Sequence, residues 1–270
     1  MATNDLKTWL QEQCSGYVFD LRGVFRLAGD HEWPLEVHDS ADLEAKLTAG
    51  GHLLPLPKEP AALANVLEVS IVDFLMAALS KEGGESRRGG ERFYPDLEVS
   101  GERFGGGFHA VDVKIARRGT TKKGPSNFTQ SRITLYTGNT YFMYPTLHWP
   151  GTFRAFNDYQ GRHLDVIGIY TLDTSSRARV TDLELIVQEP WRIGSKQRSS
   201  TTREYIGAVQ RLDDLRNGAG EFATAEAFYT YWRKFDFKIG KSVKRQLDKM
   251  LAGEQAPAGV AVEAPPDLPV

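Results

Sequence analysis

Tyr94-Pro95-Asp96, fifteen further residues, and then Asp112-Val113-Lys114 inside Phe108-His-Ala-Val-Asp-Val-Lys-Ile-Ala116 form the stretch whose reading decides the fold. Its second half alternates with period two, which predicts a strand with Asp112 and Lys114 on one face and Val111, Val113 and Ile115 on the other. The apolar face suits a core and leaves the charged pair in a cleft. Gly105-Gly106-Gly107 predicts a bend between two strands, because neither a Lys-Ser/Thr pair nor a helix follows it as in a phosphate cradle. Two carboxylates and an ammonium from adjacent strands suit metal-dependent hydrolysis of a phosphodiester. Asp96 and Asp112 are the candidate Mg²⁺ ligands, with a backbone carbonyl near Val113 as a third oxygen, and Lys114 stands beside the attacking water.

The same acid-x-Lys spacing occurs at Asp5/Lys7, Glu44/Lys46 and Asp236/Lys238, where solvated surface charge is the simpler reading. Only Asp112/Lys114 follows a Pro-Asp at two-strand distance and stands among β-branched residues in strict alternation. The other Pro-Asp, Pro266-Asp267, lies in a proline-rich tail. On pattern alone, a structural strand carrying an exposed ion pair is an equal alternative.

Working outward, residues 4–14 predict a short helix capped by Asn4 or Asp5, with Leu6, Trp9 and Leu10 on one face. Gly16 to Leu27 predicts two strands about a turn near Gly23. Pro60 to Lys81 predicts an amphipathic helix whose buried stripe is Leu63, Val66, Leu67, Ile71, Phe74, Leu75 and Leu79, with Glu68 at its edge. Residues 81–90 predict a polar loop. Strands are predicted at 94–100, 107–116, 132–137, 139–144, 164–172 and 182–188, and closing helices at about 224–235 and 241–252. Residues 253–270 lack periodicity and read as a disordered Pro/Ala-rich tail. The expectation is one domain over 1–252.

A chain of 270 residues buries one sizeable core. The formal charge of −2 gives no global positive field, but local charge is what meets phosphate. The cations cluster at Lys114, Arg117, Arg118, Lys122 and Lys123, at Arg192, Lys196, Arg198 and Arg203, and again from Arg233 to Arg245. Solubilising faces are the bland account of any one cluster. Cys14 is the only cysteine, which excludes intramolecular disulfides and cysteine-based zinc sites. The N-terminus has no apolar signal core, and no segment approaches the roughly 20 apolar residues of a membrane span. The expectation is a soluble, cytoplasmic protein with no membrane partner.

The Tyr-Pro-Asp to Asp-x-Lys spacing resembles that of the PD-(D/E)xK nucleases, and specifically the EcoRV-type Type II restriction endonucleases. Phe222-Ala-Thr-Ala-Glu-Ala-Phe-Tyr-Thr-Tyr-Trp-Arg-Lys-Phe235 is similar to a late helix of that family. Trp191 through Ile206-Gly207 resembles its strand and recognition loop, with the Trp-to-Ile-Gly spacing and a Thr-Thr within. Ile133-Thr-Leu-Tyr-Thr-Gly-Asn-Thr-Tyr-Phe142 resembles the segment after the catalytic lysine. Together these cover much of residues 60–240. The resemblance implies an α/β, restriction-endonuclease-like mixed sheet flanked by helices, with a small β dimerisation element at 16–38. It implies a homodimer that cuts both strands of a palindromic double-stranded DNA site with Mg²⁺, leaving a 5′-phosphate, a 3′-hydroxyl and blunt ends. It also implies a cognate methyltransferase acting on the same site.

By that resemblance Glu68 contacts a second metal or its water; a helix-surface carboxylate is the plain alternative. Val18, Phe19, Val24 and Phe25 are candidate dimer contacts. The hydroxyls of Thr134, Thr137 and Thr140, with Arg117 and Arg118, are candidate phosphate contacts, as Arg87 and Arg88 are in the 81–90 loop. The loop Lys196-Gln197-Arg198-Ser199-Ser200-Thr201-Thr202-Arg203-Glu204 is the candidate base reader. Arginine reads guanine and glutamate accepts from cytosine, so a G·C-containing site is expected. This loop departs from the family's Gly/Asn-rich one, so base-contact roles do not transfer singly. His31-Glu32 followed by His38 lacks zincin spacing, and neither a Gly-x-Ser-x-Gly elbow nor a Walker loop occurs. His109 shares the parity of Val111 and reads as core; Trp149, Trp191 and Trp232 read as core anchors. The alternatives are a repair or structure-specific endonuclease with the same metal site, or a non-catalytic DNA-binding module.

Overall fold

The computed structural model describes residues 5–19, 38–41, 60–90, 92–173 and 180–253. Helix α1 (Leu6–Ser15) starts where the Asp5 carbonyl accepts the Trp9 N–H at 3.1 Å, and it buries Leu6, Trp9, Leu10 and Cys14. Helix α2 (Pro60–Lys81) follows, then strands β1 (Glu85–Arg88), β2 (Leu97–Ser100), β3 (Phe108–Thr121), β4 (Gly124–Thr129), β5 (Thr134–Thr137), β6 (His163–Leu172) and β7 (Val180–Gln188). Strands β8 (Gly194–Arg198) and β9 (Tyr205–Ala208) precede helices α3 (Leu212–Asn217), α4 (Ala225–Arg233) and α5 (Lys241–Leu251).

The main sheet runs β1-β2-β3-β6-β7, with β4 paired to β3. Only the β3–β6 pairing is parallel, so the sheet is mixed, as expected. Parity along β3 sorts the two faces. Val111 and Val113 join Leu97, Val99, Leu164, Val166 and Val187 against α1 and α2. Ala110 and Ala116 face an aromatic core with Tyr94, Tyr136, Phe142, Phe156, Phe228 and Trp232. A second, three-stranded sheet, β5-β9-β8, packs into that aromatic side. By parity Asp112 and Lys114 therefore share the aromatic side with Ala110 and Ala116.

Helix α2 buries Leu63, Leu67, Ile71, Leu75 and Leu79 at four-residue spacing, plus Val72; Val66 and Phe74 lie at the edge. By length and composition 63–81 is apolar enough to cross a membrane, which corrects the expectation that no segment is. Its apolar stripe is used by the sheet instead.

Residues 81–90 are not simply a loop, because Glu85–Arg88 pairs with β2 as an edge strand. The predicted strand 139–144 is a helical turn at Gly138–Phe142. There Phe142 turns into the core, and Gly138 lies so close to the Phe237 ring that no Cβ would fit. Strand β3 runs past Ala116 to Thr121 and returns as β4, which polar residues hid from hydropathy. The three glycines at 105–107 make the expected bend, with φ of 82°, 67° and 71°. Trp149 and Trp232 are buried and Trp191 partly so. Of the element expected at 16–38, only 16–19 and 38 are described; Val18 is 79% exposed and Phe19 packs beside Leu63 and Tyr170. Residues 254–270 of the expected tail, with Val24 and Phe25, lie outside the described residues.

His163, at the start of β6, is buried and bonded through Nδ1 to the Tyr94 hydroxyl at 2.6 Å. Burial pushes its imidazole down to about 3 from 6.5. Between those values the unfolded chain binds a proton that the folded chain refuses, so stability falls as pH drops below 6.5, by about 1.4 kcal/mol per unit. Urea unfolding at pH 7 and pH 5 is expected to show wild type losing more stability than His163→Gln. Parallel losses in the two proteins would show that His163 is not responsible.

Candidate active site

The β2–β3 register, Leu97 opposite Val111, brings Asp96 opposite Asp112. Two bonds lock the pair. Asp96 Oδ2 accepts the Val113 N–H at 2.7 Å, and Asp112 Oδ1 accepts the Asp96 N–H at 3.3 Å. Lys114 makes an ion pair with Asp112 Oδ2 and is 24% exposed. A cavity of about 520 Å³ opens beside them, lined by Glu68, Asp96, Lys114, Arg117, Arg132 and Thr134 among others. The structure thus gathers Asp96, Asp112, Lys114 and Glu68 at one cleft.

Electrostatics in this cleft are strained. Burial raises the Asp96 carboxyl, the Asp112 charge adds to the rise, and Lys114 opposes it. Burial also raises Glu68, against Lys114. For Lys114, burial would lower the ammonium, but Asp112, Asp96 and Asp165 outweigh it and raise it above the ordinary lysine range. These carboxylates hold the lysine as a positive charge, suited to orienting a water or stabilising developing negative charge. A cation between Asp96 and Asp112 would relieve the carboxylate crowding that raises Asp96.

The donor set fits a hard divalent cation: carboxylate oxygens from Asp96 and Asp112 on facing strands. Among the described residues no three carboxylate, histidine or cysteine side chains converge as a preformed metal cage. Glu68 lines the cavity without joining a third ligand to the pair. A two-carboxylate set suits an ion that keeps several waters.

The family model described as Restriction endonuclease EcoRV matches residues 29–252, most of the chain and all of the cleft. The chain belongs to the EcoRV family of restriction endonucleases. No curated protein matches it. The fold is accordingly the restriction-endonuclease-like one, the enzyme is a Type II deoxyribonuclease, and its substrate is DNA. Nucleases of this kind are generally dependent on a divalent metal.

The β8–β9 ribbon of this EcoRV-type enzyme is built differently from the short loop expected at 196–204. Lys196, Gln197 and Arg198 belong to β8, and the turn proper is 199–204. Arg198 and Glu204 pair with each other at 2.7 Å, and Glu204 also accepts the Lys238 N–H. Gln197 accepts from Arg132 at 2.7 Å, and Ser199 bonds Thr134 at 2.7 Å. These groups brace the ribbon, which leaves Lys196, Thr201, Thr202 and Arg203 exposed, with Ser200 bonding back to the turn. Arg117 lines the cavity, whereas Arg118 is not among its lining residues and has a buried Nε without a partner. Arg88 pairs with Asp73, and Arg87 lies over the Phe153 ring at 4.3 Å. Thr137 donates its N–H to Tyr141, and Thr140 sits in the helical turn. His109 is buried and bonded to the Phe104 carbonyl, a core residue.

Sequence reasoning missed Asp165. It is 1% exposed, its Oδ2 has no hydrogen-bond partner, and it pairs in register with Asp112. Burial raises its carboxyl well above the usual range, Asp112 adds to this, and Lys114 opposes. An unpartnered buried group of this kind costs about 1–3 kcal/mol. The available signal was a lone acid in the apolar run His163-Leu-Asp-Val-Ile-Gly-Ile-Tyr170.

Gly207 is where the ribbon touches itself: a Cβ there would stand 2.6 Å from the Gln197 carbonyl and 2.9 Å from the Ser199 N. Gly207→Ala is expected to displace the 199–204 turn, at an overpacking cost of about 1–3 kcal/mol, and to weaken specific DNA binding. Gel shifts in Ca²⁺ beside thermal melts check this; wild-type affinity in a folded variant would show that the ribbon does not set binding.

Proposed function

We propose that Asp96, Asp112 and Lys114 are the hydrolytic centre of a homodimeric restriction endonuclease that cuts both strands of a palindromic DNA site with Mg²⁺. The observation that carries this reading is the facing of two carboxylates across β2 and β3 with an ammonium on the second, at the mouth of a basic cleft. Asp96 and Asp112 would hold the ion. When bound, it supplies Lewis-acid neutralisation of phosphate charge and a more acidic water. The chain's own part is orientation: Lys114 fixes the attacking water and faces the charge that develops on phosphorus, in line with the departing 3′ oxygen. The products are then a 5′-phosphate and a 3′-hydroxyl, with blunt ends by likeness to the family. Glu68, which lines the cleft, would contact a second ion or its water.

Arg117 and Thr134 line the cleft and are the favoured phosphate contacts. Because Arg198 and Glu204 neutralise each other, base reading falls to the exposed turn, with Arg203 the group best suited to guanine. Two-fold symmetry of the protein would match a palindromic site. A neighbouring methyltransferase would protect the host genome. Residues 1–252 would form the single catalytic and DNA-binding domain, acting in the cytoplasm.

Phage DNA with Mg²⁺ is expected to give a ladder of discrete fragments, whose end sequencing reads site and cut position. Asp96→Ala, Asp112→Ala and Lys114→Ala each lose cleavage by orders of magnitude while binding DNA in Ca²⁺. Wild-type rates in any of the three would refute the assignment. Nicking only at mismatches or branches would transfer it to a repair nuclease.

A further inference from the structure

Four polar residues cross the main sheet in one row. Asp96 lies opposite Asp112, Asp112 is in register with Asp165, and Asp165 with Gln188. Three of the four have partners. Asp96 and Asp112 hold each other through backbone N–H groups, and Asp112 Oδ2 pairs with Lys114. The Gln188 amide donates to the Arg216 carbonyl at 2.8 Å, and its oxygen faces Lys7 at 3.3 Å. Asp165 Oδ2, buried on the aromatic face beside Asp112, has none.

A cation gripped by Asp96 and Asp112 competes with Lys114 for the Asp112 carboxylate. The ammonium would then be short of an acceptor in a largely enclosed place. Lys114 pairs in register with Ile167, two residues along β6 from Asp165, so Asp165 is its diagonal neighbour on the same face, within reach of a long side chain. A carboxyl oxygen accepts from an ammonium whether or not the group carries its own proton.

On the nuclease reading above, we propose that Asp165 is a positioning residue: it accepts Lys114 when a divalent cation claims Asp112, and so keeps the ammonium aimed at the scissile phosphate. Asp165 touches neither ion nor DNA in this role. It lets one lysine serve the metal-free and metal-loaded states without withdrawing from the cleft.

Crystals of the full chain soaked in CaCl₂ alone test this directly. The expected result is Ca²⁺ between Asp96 and Asp112, with Lys114 Nζ within hydrogen-bond distance of the Asp165 carboxyl. Lys114 remaining on Asp112, or meeting only water, overturns the proposal. Absence of the ion, together with no cleavage by wild type in Mg²⁺, defeats the nuclease reading itself. Two variants separate positioning from folding. Asp165→Leu keeps the branched shape and heavy-atom count but loses the acceptor; it is expected to melt no lower than wild type and to cleave about a hundredfold more slowly at saturating DNA, with DNA affinity in Ca²⁺ unchanged. Asp165→Asn keeps a carbonyl oxygen and is expected to restore most of that rate. Equal rates in wild type and Asp165→Leu, or equal impairment in the two variants, would sink the idea.

Discussion

The reciprocal clasp between Asp96 and the strand beside it is the constraint on which the rest depends. Asp96 Oδ2 holds the Val113 N–H, and the Asp96 N–H reaches back to Asp112. Asp96 lies just before β2, where ladder pairing ends, so ordinary strand bonds alone would not hold its side chain. The clasp converts a strand terminus into a fixed platform. It also forces two carboxylates together, which neither burial nor like charge favours. Lys114 lowers that cost, and a bound cation would lower it further.

The two faces of the main sheet divide the labour. Helices α1 and α2 cover one face with aliphatic packing, which gives the rigidity that a positioned site needs. The other face meets a network of rings from Tyr94 to Trp232, which ties the small sheet to the large one. Tyr94 immediately precedes the Pro95-Asp96 pair and stacks on Tyr141 at 4.7 Å. The motif's first residue is thus anchored in the aromatic core while its third faces the cleft. The ribbon is tied to that core as well: β5 pairs with β9, the far side of the ribbon carrying the 199–204 turn.

Much of the site was legible because its chemistry is written at short range. Asp112 and Lys114 lie two residues apart in a strictly alternating strand, so their shared face follows from the pleat alone. Pro95-Asp96 gave the second carboxylate through spacing and family likeness. The ribbon was legible as polar sequence between apolar segments, but the pairing of Arg198 with Glu204 was not. Either side chain could have pointed at a base, and only the β8–β9 geometry turns them toward each other. Strand β4 was missed because both faces are largely solvated, so it carries little hydropathy signal.

By itself the sequence determined the alternation of β3, the stripe of α2, the turn at Gly105–Gly107 and the residue types of a hard-metal site. These follow from local periodicity and side-chain chemistry. Tertiary structure alone decided which strands are neighbours, and hence that Asp165 stands beside Asp112 though 53 residues separate them. Parallel pairing has no local signature, because the register of β3 on β6 is set by the packing of both faces rather than by a turn between them.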